Sequence, residues 1–183
     1  TKRGTLFEQV SAQVPLTLPS HVSLFTSSYP FGNGIVDNGQ QLQPGATTLA
    51  SLLKWKGYQT AAFVGGFVLD PRFGLQQGFD LYDSPFDLRR QRKSDPGDVK
   101  RWGEEVVGAA IEWLNGNSKE PFFVFLHLYD LHTPYELPPA KRNRYGGSAG
   151  YEKQLAYVDE LLGEFVKFLM QKGLFEKSLI VFT

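Results

Sequence analysis

The sequence predicts an α/β fold, a three-layer α/β/α sandwich with a mostly parallel central sheet, and three observations carry that expectation. Short strand-like apolar runs alternate with longer helical ones, as they do when helices cover both faces of a parallel sheet. The continuous run Phe122-Phe123-Val124-Phe125-Leu126-His127-Leu128 suits a central strand buried on both faces. Tyr151, Leu155, Val158, Leu162, Phe165 and Leu169 recur at steps of four and three, which marks one face of a long helix ending near Gly173. With 183 residues, 42% of them hydrophobic and 14% aromatic, the chain can build one compact domain with a sizeable core.

In order along the chain, Thr17 to Phe25 reads as a helix start, with Thr17 near the N-cap and Pro19 in the first turn, where a missing N–H costs nothing. A turn-rich stretch follows over residues 29–45. Residues 47–57 read as a short helix, capped by Thr47 and stopped by Gly57. Residues 60–64 form a buried strand, residues 65–84 an ordered loop rich in Gly, Pro and Asp, and residues 89–100 a mobile surface segment of mixed charge. Residues 102–114 read as a helix. Ser178 to Phe182 is expected to be another buried strand, and its position implies that the domain continues past Thr183.

Charge and composition exclude several classes of function. Lys and Arg number 19, as do Asp and Glu, so no net basic field attracts nucleic acid or an anionic membrane. The absence of cysteine removes disulfides, thiolate metal sites and a thiol nucleophile. No run approaches the roughly 18 apolar residues that cross a bilayer, and a removed signal or anchor upstream of Thr1 stays open.

In an open parallel sheet, ligands bind beyond the carboxyl ends of the strands. One such exit reads His127-Leu128-Tyr129-Asp130-Leu131-His132-Thr133-Pro134-Tyr135, with two imidazoles and a carboxylate within six positions. The cluster suits binding of an anionic ester or a divalent cation; equally, His127 can be a hydrogen-bonded core residue and Asp130 a turn cap. Thr17 is the second candidate. A helix N-terminus favours an anion, so a hydroxyl there can attack a bound phosphate or sulfate; the plain alternative is an N-cap.

The run Val14-Pro15-Leu16-Thr17-Leu18-Pro19-Ser20-His21-Val22-Ser23-Leu24-Phe25-Thr26-Ser27-Ser28-Tyr29-Pro30 resembles the nucleophile segment of sulfatases, in the alkaline-phosphatase superfamily. It continues into Asn33-Gly34-Ile35 and Asp37-Asn38-Gly39. The pieces Thr48-Leu49-Ala50, Lys56-Gly57-Tyr58-Gln59-Thr60-Ala61, His127 to Tyr135 and Tyr157-Val158-Asp159 follow in the order that family places them. The resemblance spans nearly the whole chain. It implies an alkaline-phosphatase-like fold, incomplete at both ends, with residues 1–183 as a partial sulfatase-like catalytic domain.

In the family, Cys or Ser in a Cys/Ser-x-Pro-x-Arg pattern becomes formylglycine. Thr17, Pro19 and His21 occupy the matching positions, so formylglycine is not expected and His21 replaces the arginine. Superfamily relatives, including nucleotide pyrophosphatase/phosphodiesterases and phosphoethanolamine or lipoteichoic-acid transferases, use an unmodified, metal-bound Thr that becomes covalently phosphorylated. By resemblance Thr17 is that nucleophile and a metal ligand, His132 contacts the transferred group, and His127 or Asp130 supports it. His21 and Asp130 are expected to contact substrate. Many sulfatases carry a sulfate-binding lysine where this chain has Gly65-Gly66-Phe67-Val68.

The resemblance further implies a divalent metal (Ca, Mg, Mn or Zn) whose Asp pairs lie outside the chain, before Thr1 and after Thr183. The fragment alone is therefore expected to be inactive. The expected activity is hydrolysis or transfer of a sulfate or phosphate ester through a covalent intermediate on Thr17. The partner is then a small-molecule, glycan or lipid ester rather than nucleic acid, and a periplasmic, secreted or membrane-anchored location is a family expectation. The alternatives are a non-catalytic binding domain that kept the sandwich and an inactive truncated fragment.

Overall fold

A computed structural model describes residues 4–86, 95–117, 121–146 and 150–183. Three parallel strands form the sheet: β1 (Gln59–Val64), β2 (Leu81–Asp83) and β3 (Phe122–His127), in the order β2-β1-β3. Its helices are α1 (Thr17–Thr26), α2 (Pro30–Asn33), α3 (Leu49–Trp55), α4 (Gly103–Asn117) and α5 (Tyr151–Gln171). No helix among the described residues is long and apolar enough to cross a membrane.

The period-two alternation of strand side chains divides the core between the two faces. Phe123 and Phe125 of β3 pack with Val64 of β1 and with Leu18, Val22 and Phe25 of α1. Val124 and Leu126 point the other way, joining Ala61 and Phe63 of β1, Val106 and Ala110 of α4, and Phe165 of α5. The three layers expected from the sequence are thus present, with α1 on one face and α4 and α5 on the other.

The central strand is β1 rather than β3. β1 pairs with β2 through Ala61↔Leu81 and with β3 through Gln59↔Phe122 to Val64↔His127, so both its edges are bonded. β3 lies at the sheet edge among the described residues, and most of its side chains are only half-buried. β2 falls inside the stretch read as a loop, since three residues carry too short a pattern to register. Residues 178–182 are not a buried strand: no ladder forms there, and Leu179 is 92% exposed. The apolar pattern is strand-like, yet a strand also needs a backbone partner.

Helix ends shift in physically definite ways. Thr17 is the first residue of α1, after an extended Leu16 whose side chain makes no cap bond, so Thr17 is not the N-cap. In α3 the cap is Thr48, one residue beyond the expected Thr47, because Thr48 and Ser51 exchange side-chain and backbone bonds as a capping box. The expected stops hold. Beyond α3 and α5, Gly57 and Gly173 adopt φ of 87° and 68°, and the next residues, Tyr58 and Leu174, donate back to Leu53 and Leu169.

The buried stripe of α5 runs through Gln154, Tyr157, Val158, Leu161 and Leu169, while Tyr151 and Leu155 of the expected face are exposed. Gln154 is the polar member of that stripe, and its amide donates to the Glu136 carbonyl. Of the stretch read as mobile, residues 89–94 lie outside the described residues. Its far end is held, for Val99 is buried and Lys100 forms a backbone bridge with Gly66.

Candidate active site

The site grows from the register of β1 and β3. Val64 and His127 are paired, and just beyond them the Gly65 N–H donates to the His127 carbonyl at 2.9 Å. The exit of β1, Gly65-Gly66, therefore runs beside the exit of β3, His127-Leu128-Tyr129. A Cβ on Gly65 would lie 2.8 Å from the His127 carbonyl oxygen, and one on Gly66 would lie 2.9 Å from the Tyr129 ring. Only glycine lets the ring lie this close to the backbone.

Tyr129 is the hub. Its ring stacks on His132, with centroids 4.4 Å apart and planes 15° from parallel, and its other ring neighbour is His127 at 5.6 Å. Burial holds its phenol above the usual range, against a smaller lowering from the Thr17 hydroxyl. The phenol therefore stays protonated at neutral pH.

The free N–H groups of a helix start are what would hold an anion. In α1 most are already engaged or missing: Leu18 N–H donates to Asn38 Oδ1 at 2.9 Å, Pro19 has none, and Ser20 N–H bonds the Leu16 carbonyl at 3.1 Å. Thr17 keeps its own. Anion binding at this end must therefore come mainly from side chains.

Three of the expected side chains, His21, His127 and His132, lie at this end of the sheet. His21 Nδ1 bonds the Thr17 carbonyl at 2.7 Å; a carbonyl only accepts, so the proton sits on Nδ1 and Nε2 keeps its lone pair. The His21 ring meets the His127 ring edge to face, centroids 5.0 Å apart. Burial lowers the pKa of both. For His127 the drop is to about 3, deepened by the neighbouring His21, and its Nδ1 has no partner. His132 is more open, and its Nδ1 donates to the Thr133 carbonyl, leaving Nε2 as the free ring nitrogen.

Asp130 is placed elsewhere. It is 1% exposed, and its Oδ1 accepts the Gly103 N–H at 3.0 Å at the start of α4, where the Tyr157 hydroxyl accepts the Glu104 N–H at 3.2 Å. Burial raises the Asp130 pKa, and its Oδ2 has no partner. The structure thus gathers Thr17, His21, His127 and His132 around Tyr129, and sets Asp130 beneath them as an α4 cap.

Three groups at the site had no role in the sequence reading. Tyr129 was hidden because a tyrosine two positions past a strand end looks like ordinary core; the Gly65-Gly66 pair was the available signal. Asn38 reaches Leu18 across 20 residues, which spacing alone does not reveal. Lys100 arrives beside Gly66 by the backbone bridge, and its Nζ donates to the Pro134 carbonyl at 2.7 Å.

The residues present do not fit a metal centre by themselves. Among the described residues no group of three or more His, Asp or Glu side chains is arranged to hold an ion. Asp130, the carboxylate expected at the site, is engaged in capping α4 instead.

The Sulfatase family profile matches residues 1–183. The chain is 24% identical over 222 residues to the ulvan-active sulfatase of Formosa agariphila, a match covering 100% of this chain and 43% of that protein. It therefore spans less than half the length of this relative. Among solved structures it is similar to a protein in the alkaline phosphatase superfamily from Vibrio parahaemolyticus, with 28% identity, a TM-score of 0.51, and 68% of this chain and 31% of that chain covered. It is also similar to Ps i-CgsB in complex with k-i-k-neocarrahexaose, with 18% identity, a TM-score of 0.68, and coverage of 89% and 46%. With the parallel sheet and the site at its carboxyl end, the match along the full chain gives the assignment: the protein belongs to the Sulfatase family.

Proposed function

We propose that this chain carries the nucleophile and the group-binding histidines of a sulfate-ester hydrolase, with phosphate esters as the alternative substrates. The observation that supports it is the meeting of Thr17 with His21, His127 and His132 around Tyr129, at the carboxyl ends of β1 and β3. The name of the Formosa agariphila relative extends the reading to a sulfated glycan.

Thr17 Oγ attacks the sulfur or phosphorus, forming a new bond while the bond to the leaving oxygen breaks. The leaving alcohol carries off the proton that Thr17 gives up, and water then releases the group from Thr17. His132 and neutral His127 donate to the non-bridging oxygens, where charge accumulates in the transition state. Dependence on calcium, magnesium, manganese or zinc belongs to the proposal, with ligands other than Thr17 drawn from outside the described residues. No step above is assigned to it.

Hydrolysis of matched aryl sulfate, phosphate monoester and phosphate diester substrates by the full-length parent tests the reading, with and without Thr17→Ala and across those four ions. Turnover of one class that Thr17→Ala abolishes supports it. Saturable binding of sulfated glycan with no turnover by any metal-loaded sample favours the non-catalytic binding domain.

A further inference from the structure

We propose that Lys100 is a specificity-determining residue of this site, holding a second oxyanion of the substrate, a carboxylate or a further sulfate on the sugar next to the ester. The assignment rests on the reading of the site as one for sulfated glycans.

The backbone sets where the side chain goes. Residues 99–101 run antiparallel to the exit of β1: the Phe67 N–H donates to the Val99 carbonyl at 3.0 Å, the Arg101 N–H donates to the Gly65 carbonyl at 2.8 Å, and Lys100 stands opposite Gly66. Residues directly opposed in an antiparallel pair carry their side chains on the same face. The Cβ that Gly66 lacks would meet the Tyr129 ring at 2.9 Å, so Lys100 leaves the ribbon on the face where that ring lies, stacked on His132. Val99 and Arg101 leave by the opposite face. Val99 is buried there, and the Arg101 guanidinium is bound to Asp83 at 3.1 Å.

The Lys100 ammonium ends on the rim. Its Nζ donates to the Pro134 carbonyl at 2.7 Å, two residues beyond His132 on an exposed part of the loop, and it lies 5.8 Å from the centroid of the Trp102 ring. Both partners are neutral. An ammonium has three N–H donors, and Pro134 takes one of them. Glu136, Asp130 and Asp98 act on its charge from a distance, but among the described residues no carboxylate forms an ion pair with it.

His127, buried at the end of β3, and His132 serve the ester itself. Lys100 instead holds its charge at an exposed stretch of the same loop, where the rest of a glycan would pass. A charge-assisted hydrogen bond at such a half-exposed position is worth about a five- to tenfold preference for a substrate that carries an anion there.

The test uses three disaccharide sulfates that share one scissile ester and differ on the neighbouring sugar, which is neutral, carries a carboxylate or carries a second sulfate. The full-length parent is expected to prefer one of the two charged members over the neutral one by about five- to tenfold in kcat/KM, and the preferred member identifies the anion. Lys100→Met keeps the backbone bridge and removes the charge; it is expected to bring that ratio to within about twofold of unity, chiefly through KM. A ratio does not depend on how much of the sample is folded. Equilibrium binding of the same three probes to Thr17→Ala, with and without Lys100→Met, reads the preference without turnover.

A parent with no preference for either charged member would overturn the proposal. So would a Lys100→Met ratio equal to the parent's, whether through no loss or through equal losses on all three probes. Full turnover by Thr17→Ala instead overturns the nucleophile reading beneath it, and neither that result nor a parent without turnover touches a binding preference that Lys100→Met removes.

Discussion

His21 and His127 meet edge to face at 5.0 Å with ring planes 86° apart, one the fifth residue of α1 and the other the last residue of β3. This contact joins a helix residue and a strand residue that lie 106 positions apart in sequence. It also sets the charge of the site, since two buried imidazoles this close cannot both be protonated at modest cost.

The pH behaviour of His127 follows. Its pKa falls from 6.5 to about 3 on folding, so between those values the unfolded chain binds a proton that the native chain does not. Stability from this group is fully present above 6.5 and is lost as pH falls toward 3. Imidazole signals followed by NMR should show His127 neutral down to about pH 3, while in His127→Asn the acid side of the stability profile flattens.

Asp130 is expected to act on stability through α4. Asp130→Ala leaves the Gly103 N–H without its acceptor and should cost about 2 kcal/mol in chemical denaturation. Asp130→Asn keeps an acceptor oxygen and removes the buried charge, so it should cost less. Equal losses in the two variants would contradict the capping role.

His132 is expected to separate activity from stability. It lies on the open side of the Tyr129 stack, and His132→Ala should change stability by less than about 1 kcal/mol. Turnover should fall by about 10²-fold, as for loss of one oxyanion donor. Thermal denaturation and kcat measured on one preparation check both.

Gly65 and Gly66 are expected to differ. Alanine at 65 meets the His127 carbonyl oxygen at 2.8 Å, part of the strand ladder, whereas alanine at 66 meets the Tyr129 ring at 2.9 Å. Either insertion should cost about 1–3 kcal/mol. Gly66→Ala should displace the His132 ring signals more than Gly65→Ala, because its methyl pushes on the Tyr129 ring itself, whereas the Gly65 methyl meets the His127 carbonyl first and the Tyr129 backbone N at 3.2 Å.

How far the sequence disclosed this can be judged from particular residues. The continuous apolar run from Phe122 to Leu128 announced a strand covered on both faces, and Gly57 and Gly173 announced helix stops, because these signals are local. Which strand lies in the middle was not legible, since both β1 and β3 are apolar and order depends on hydrogen bonding between distant segments. Residues 178–182 show the same gap: their pattern is strand-like, but they have no ladder. At the site, the grouping of Thr17, His21, His127 and His132 was anticipated, whereas Tyr129 and Asn38 work through contacts that close only in three dimensions. Asp130 was read both as a substrate contact and as a cap, and its bond to Gly103 is that of a cap.

The most direct test of the central claim is mass mapping of the protein quenched during turnover of an aryl sulfate or a matched phosphate ester. The account predicts a sulfo or phospho group on Thr17 that disappears as substrate is exhausted and never forms in Thr17→Ala. Steady turnover with Thr17 unmodified, or a modified residue other than Thr17, would contradict it.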